Sequence, residues 1–246
     1  MCGRFSLTRP IDAIRKLFGF SQIPNLPARY NIAPTQAVLA VRAPDPDKEA
    51  EVARQAFLAR WGLVPSWAKD TSMASKMINA RAETVAEKPA FRTAFRRSRC
   101  LIPADGFFEW KTENDVKQPY RIEMADDGLM AFAGLTERWR GPGGETIESC
   151  AIVTTEACAA LTAVHHRMPV ILDPDRFEAW LTGDPSTASK VMKPYTGPRE
   201  FRVFAVSTRV NNVRNDDASI LQPAEPDNTA AGDAKQKGKA GQLSLF

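Results

Sequence analysis

Short apolar runs recur along this chain too often for a helix bundle. They are also too irregularly mixed with helical patterns for an alternating parallel β/α fold. The runs "AVLAVRA" and "ARQAFLARWG" predict two strands paired across the polar insert "PDPDKEAE". Further on, "CLIPADGFFEW", "PYRIEMA", "LMAFAGLTERW", "SCAIVTTEA", "PVILD" and "FRVFAVST" each predict an extended segment. Helical spacing is confined to "RPIDAIRKLFG", which Gly19 should stop, and to "TVAEKPAFRTAFRR", "CAALTAVHHRM" and "DPDRFEAWLTG". In the last of these Asp173 is the expected cap. The proline-punctuated "IPNLPARYNIAPTQ" reads as ordered but irregular. The expected fold is α+β: a single domain with a largely antiparallel, barrel-like β-sheet and interspersed helices.

Composition narrows the function classes. The chain has 246 residues, 43% of them apolar and 25% charged, as in an ordinary globular protein. It contains no eighteen-residue apolar run and no secretory leader, so a cytoplasmic protein without membrane contact is expected. The four cysteines, Cys2, Cys100, Cys150 and Cys158, have no metal-site spacing, and the two histidines are adjacent, His165 and His166. No metal, cofactor or disulfide is expected. The net charge of +4 is mild, but "RTAFRRSR" concentrates four arginines without an acid. The stretch from 222 to 246 balances its charges, so the surplus belongs to the folded part.

Candidate chemistry lies at the start of the chain and in four polar clusters. Cys2 follows a methionine that is trimmed before small residues. The mature chain would then start with a thiol and a free α-amine on adjacent carbons, a pair that captures aldehydes as an imine and closes a five-membered ring. An incidental terminal cysteine is the plain alternative. "MINARAET" puts Asn79, Arg81 and Glu83 at alternate positions, hence on one face if extended. "ADGFFEW" sets Glu109 among aromatic residues, where desolvation would raise its pKa; the wet face of an amphipathic strand is the competing position. "VHHRMP" offers a proton-shuttling histidine or a capping one. Trp61 and Trp67 of "WGLVPSWAKD" suit either the core or base stacking.

Taken in order, "MCGRF", "RYNIAPTQ", "WGLVPSWAKD", "INARAET", "CLIPADGFFEW", "KQPY", "HHRMPVIL" and "VSTRVNNVRND" resemble the successive motifs of the SOS response-associated peptidase (SRAP) family. The resemblance runs from residue 2 to about 223. It implies one SRAP domain, 1–222, that shields abasic sites in single-stranded DNA through a thiazolidine cross-link at Cys2, with self-removal of Met1. By the same resemblance Glu109 and His165 move protons, and Asn79 holds the sugar or the N-terminus. His166 stands where the family commonly has aspartate, and the spacing to Arg167 assigns the role to His165. Arg4, Asn31, Trp67, Arg81, Arg167 and Asn212 are the implied DNA contacts. A monomer is expected. The rival functions are an N-terminal-nucleophile cysteine peptidase or amidohydrolase, and a single-strand-binding module in which Cys2 is incidental.

Residues 223–241 lack large apolar side chains and read as a disordered linker. The chain then ends in "QLSLF". Gln242, Leu243, Leu245 and Phe246 resemble the pentapeptide with which bacterial replication and repair proteins dock on the DNA polymerase sliding clamp.

Overall fold

The structure is a computed structural model that describes residues 2–21, 26–44, 54–113 and 115–225. The expected insert strands are present. β1 (Phe5–Leu7) and α1 (Ile11–Phe18) open the chain, followed by β2 (Arg29–Ile32), β3 (Ala37–Arg42), β4 (Gln55–Trp61) and β5 (Asn79–Arg81). Next come α2 (Arg92–Arg97), β6 (Arg99–Ala104), β7 (Gly106–Glu113), β8 (Val116–Met124), β9 (Met130–Arg140) and β10 (Thr146–Glu156). The chain then runs through β11 (Arg167–Pro169), β12 (Ile171–Leu172), α3 (Phe177–Leu181), α4 (Pro185–Val191) and β13 (Phe201–Ala205).

Strands β10, β4, β3, β6 and β9 pair in that order, and β9 pairs back onto β10, closing a five-stranded barrel. The pairings are antiparallel except where β4 and β5 lie parallel to β10. A second sheet, ordered β13-β8-β7-β1-β2, packs beside the barrel. The fold is α+β, a single mostly β domain.

Aromatic rings join the two layers. Phe5 of the second sheet meets Trp61 and Phe132 of the barrel edge-to-face, at 5.1 and 5.9 Å between ring centres. Phe107 meets Phe132 at 5.9 Å. All four are buried. Burying each side chain contributes about 1.5–3 kcal/mol, which keeps β1 and β7 against the barrel. A buried charge cluster fixes the same junction: Arg121 donates to Glu123 at 2.6 Å and to the Ser6 hydroxyl at 2.8 Å, and Ser6 donates to Asp105 at 2.5 Å.

Several expectations are corrected. "CLIPADGFFEW" is two strands, β6 and β7, in different sheets; Asp105 at the corner accepts from Ser6 and from the Thr8 hydroxyl. "CAALTAVHHRM" forms successive turns, not a helix. Its ends are pinned together where Glu156 pairs with Arg167 and the Ala157 N–H reaches the His166 carbonyl at 3.0 Å. Of "TVAEKPAFRTAFRR" only Arg92–Arg97 is helical, and turns occupy the part around Pro89. In "DPDRFEAWLTG" a 3₁₀ turn at Pro174–Arg176 leads into α3; Asp173 stands at the turn's N-cap position, but its carboxylate makes no capping hydrogen bond and accepts from the Tyr195 hydroxyl at 3.1 Å. "RYNI" is a strand, β2. The chain stays on the sheet slightly beyond residue 222: Val206 bridges Pro223, and the Ala224 N–H bonds the Ala205 carbonyl.

Candidate active site

The register of the second sheet brings the start of the chain to Glu109. Phe5 pairs with Phe107 antiparallel, and the Phe108 N–H bonds the Arg4 carbonyl at 2.9 Å. The chain therefore continues backwards alongside β7, and Cys2 arrives next to Glu109, fully buried. Burial pushes the Cys2 thiol well above its ordinary pKa; the Glu109 charge adds to this, and the amino-terminal charge, followed by the Arg4 N–H on the sulfur, partly offsets it. Glu109 is 2% exposed. Desolvation raises its carboxyl to about 7 against the opposing pull of the amino-terminal charge. Between the two positions weighed from sequence, Glu109 occupies the buried one.

The barrel supplies the other side. β5 lies parallel to β10, with Asn79 beside Ile152. The Asn79 amide donates to the Cys2 carbonyl at 2.8 Å. His165 ends the turn that returns from β10 to β11. Its Nδ1 accepts the Arg167 backbone N–H at 2.9 Å, so the ring proton belongs on Nε2. Nδ1 is 4.0 Å from the Glu109 carboxylate, wider than a hydrogen bond. Burial lowers the His165 pKa, and the amino-terminal charge does so further, so the ring is neutral at neutral pH. His165 and His166 stack at 4.4 Å. Glu109 and His165 open onto a cleft of about 540 Å³ shared with Trp110, Thr112, Lys117 and Asn211.

Cys2, Asn79, Glu109 and His165 thus converge from two sheets and one turn. The candidate contact residues divide into two groups. Trp67 is 60% exposed, on a loop whose base is rigid. There the Trp139 ring N–H donates to the Ala68 carbonyl at 2.7 Å, and Val64 donates to Ser149 at 2.9 Å. Gly62, at φ +132°, lets Ala74 approach so closely that a Cβ would stand 2.6 Å from its carbonyl oxygen. Trp61, by contrast, is core. Arg81 and Asn212 are exposed.

The others are engaged internally. Arg4 donates to Asn31 at 2.8 Å and to the Val210 carbonyl at 2.7 Å, and lies over the Trp110 ring. Asn31 is buried, and its amide donates to the Val210, Asn212 and Asn215 carbonyls. It is not presented to a ligand; it holds the segment that carries Asn212. Arg167 makes a two-pronged pair with Glu83, at 2.7 and 3.0 Å. Sequence reasoning gave Glu83 only a shared face and passed over Trp110, Thr112, Lys117 and Asn211. The "KQPY" motif held Lys117, and the Thr112–Lys117 pairing of the β7–β8 hairpin puts both at the cleft. Within the site, Asn79 Oδ1, Arg4 Nε and Arg167 Nε are buried without a hydrogen-bond partner among the described residues. Among those residues, no cluster of His, Cys, Asp and Glu has metal-site geometry, and no helix is long and apolar enough to cross a membrane.

Comparison with known proteins fits this geometry. A family profile described as SOS response associated peptidase (SRAP) matches residues 1–213. Abasic site processing protein YoqW of Bacillus subtilis (strain 168) is 38% identical over 231 residues, covering 90% of this chain and 99% of that one. Abasic site processing protein YedK of Escherichia coli (strain K12) is 32% identical over 234 residues, covering 91% and 100%. A crystal structure of a Bacteroides thetaiotaomicron protein superposes with a TM-score of 0.80 at 26% identity, covering 91% of this chain and all of that one. With the profile spanning most of its length and the relatives aligned nearly end to end, the chain belongs to the SOS response associated peptidase (SRAP) family.

Proposed function

We propose that this protein processes abasic sites in single-stranded DNA by forming a thiazolidine cross-link at Cys2 after Met1 has been removed. The observation that carries the reading is the meeting of the chain's start with a buried carboxyl at about 7, a neutral histidine and an asparagine on the Cys2 carbonyl. The names of the aligned relatives support the substrate.

The chemistry follows from the protonation states. The buried thiol stays protonated, so the α-amine attacks first. It adds to C1′ of the ring-opened sugar, and loss of one water gives the imine. The thiol then adds across C=N: a C–S bond forms and its proton passes to nitrogen. A carboxyl near 7 can both take and return protons at neutral pH, which suits Glu109 for ring opening and for reversal. The Nε2–H of His165 can donate to the departing sugar oxygen. Asn79 anchors the Cys2 carbonyl so that the amine faces the aldehyde. The peptidase alternative would use the same Cys2 with Glu109 as its base, so what separates the two functions is whether the α-amine is required. Incubating the mature protein with an abasic oligonucleotide and running a denaturing gel tests the reading. A heat-resistant shifted band is expected, and its loss on blocking the α-amine separates cross-linking from hydrolysis.

DNA contacts are assigned to Arg81, Arg167 and Asn212, with Trp67 as a stacking wedge, while Arg4, tied to Asn31 and the Val210 carbonyl, positions the segment that carries Asn212. Trp67→Ala should weaken single-strand binding by about 1–3 kcal/mol. It should change folding stability by less than about 0.5 kcal/mol, because the ring is exposed. Anisotropy titration and thermal unfolding check the two halves.

The C-terminal Gln242, Leu243, Leu245 and Phe246 lie outside the described residues. We propose them as a sliding-clamp peptide on a tether. Deleting 242–246 should abolish retention by immobilised clamp and leave cross-linking intact; unchanged retention would refute it.

A further inference from the structure

We propose that Glu83 occupies, in the free protein, the place of a DNA phosphate at Arg167, and that the incoming backbone displaces it. The inference rests on the single-stranded DNA reading and deepens it.

The Glu83 carboxylate meets both terminal nitrogens of the Arg167 guanidinium, at 2.7 and 3.0 Å. A guanidinium binds two oxygens of a phosphodiester with this same fork geometry. The Arg167 side chain is only 10% exposed, whereas that of Glu83 is 47% exposed, so the carboxylate is the solvent-facing half of the pair. The arginine is secured from behind: Nη2 also donates to the Thr154 carbonyl at 2.7 Å, and the Arg167 backbone N–H holds His165. It cannot follow the carboxylate outward.

The backbone on both sides of Glu83 is tied as well. Ala82 N–H bonds the Thr154 carbonyl at 2.8 Å, and Thr84 N–H bonds the Arg81 carbonyl at 3.1 Å. Only the Glu83 side chain has to move, and it moves towards water. Arg81, exposed two residues earlier, adds its charge to the same point. The Arg167 hydrogen bond, with smaller help from the two arginine charges, holds the Glu83 carboxyl below its ordinary pKa.

Exchanging one singly charged anion for another leaves Arg167 neutralised in both states, so neither state leaves an unpaired buried charge. The free protein keeps the Arg167 guanidinium paired and in place, while the backbone N–H of the same residue fixes the His165 tautomer independently of Glu83. An aldehyde without a neighbouring phosphodiester cannot make the exchange, so the pair also favours DNA over small aldehydes.

The test uses the full mature chain and a labelled oligothymidylate without an abasic site. Glu83→Gln keeps the shape and one acceptor but removes the competing charge. It should bind about fivefold more tightly. In an Arg167→Ala background the same change should lose most of its effect, leaving only the smaller gain from the nearby Arg81 charge, and a full fivefold gain there would overturn the proposal. Equal or weaker binding by Glu83→Gln would overturn the proposal. A second measurement needs no variant: carboxyl NMR of Glu83 should return towards the ordinary glutamate pKa when DNA saturates the protein, and an unchanged value would overturn the proposal. Absence of DNA binding by wild type and variant alike would instead overturn the single-stranded DNA reading on which the proposal stands.

Discussion

Cys2→Ala, with Met1 removed, should give no heat-stable attachment to an abasic oligonucleotide, yet borohydride should still trap it on the DNA. The variant keeps the α-amine, so the imine still forms; it lacks the sulfur that closes the ring. A module in which Cys2 is incidental predicts wild-type attachment, and a thiol-only nucleophile predicts no trapped species. The protein should remain folded. Cys2 is buried in the core, and removing one buried sulfur costs about 1 kcal/mol. Single-strand affinity, which rests on the arginines and Trp67, should stay within about twofold. A denaturing gel with and without borohydride reads all three outcomes.

Glu109→Gln has the second large effect, and it acts in opposite directions on activity and stability. Removing a positioned proton donor and acceptor should slow cross-linking by about 10²–10⁴-fold. The wild-type rate should bend near pH 7, following the raised carboxyl, and the variant's profile should lack that bend. Stability moves the other way. Below about pH 4 the carboxyl is neutral both folded and unfolded, so its burial carries no charge penalty. Between about pH 4 and 7 the unfolded chain ionises while the folded one resists, and stability falls as pH rises. Above pH 7 the whole cost is present, on the order of 3 kcal/mol. Glu109→Gln should therefore unfold at a higher temperature than wild type at pH 8 and at nearly the same temperature at pH 4. Thermal unfolding at the two pH values measures it. A variant less stable at pH 8 would mean that the carboxylate is held by favourable contacts.

The barrel strands were legible because their apolar runs are long enough to cross the core. The β3–β4 pairing followed from two such runs flanking one polar insert. β1 and β2 escaped notice because three or four residues carry little pattern, and it is their pairing with each other, and that of β1 with the distant β7, that makes them strands. The turn at 158–165 was misread because helical spacing of Leu161 and its neighbours is a local signal. The β10–β11 pairing that pins its ends is not local. Taken singly, Cys2, Glu109 and His165 each had a plain structural reading in the sequence, and the roles of Asn79, Glu109 and His165 came from their places in the family motifs. Their convergence depends on the β1–β7 register and the parallel β5–β10 contact, which no spacing encodes. Asn31 was implied as a DNA contact only by its place in a family motif, "RYNIAPTQ". Its burial follows from the carbonyls of residues 210–215 folding over it, some 180 residues away in sequence.

The measurement closest to the central claim is the intact mass of the adduct between purified protein and an oligonucleotide carrying one abasic site. The expected mass is that of the chain without Met1 plus the oligonucleotide less one water, with the modified peptide beginning at Cys2. An adduct that retains Met1, or one mapped to a lysine, would contradict it.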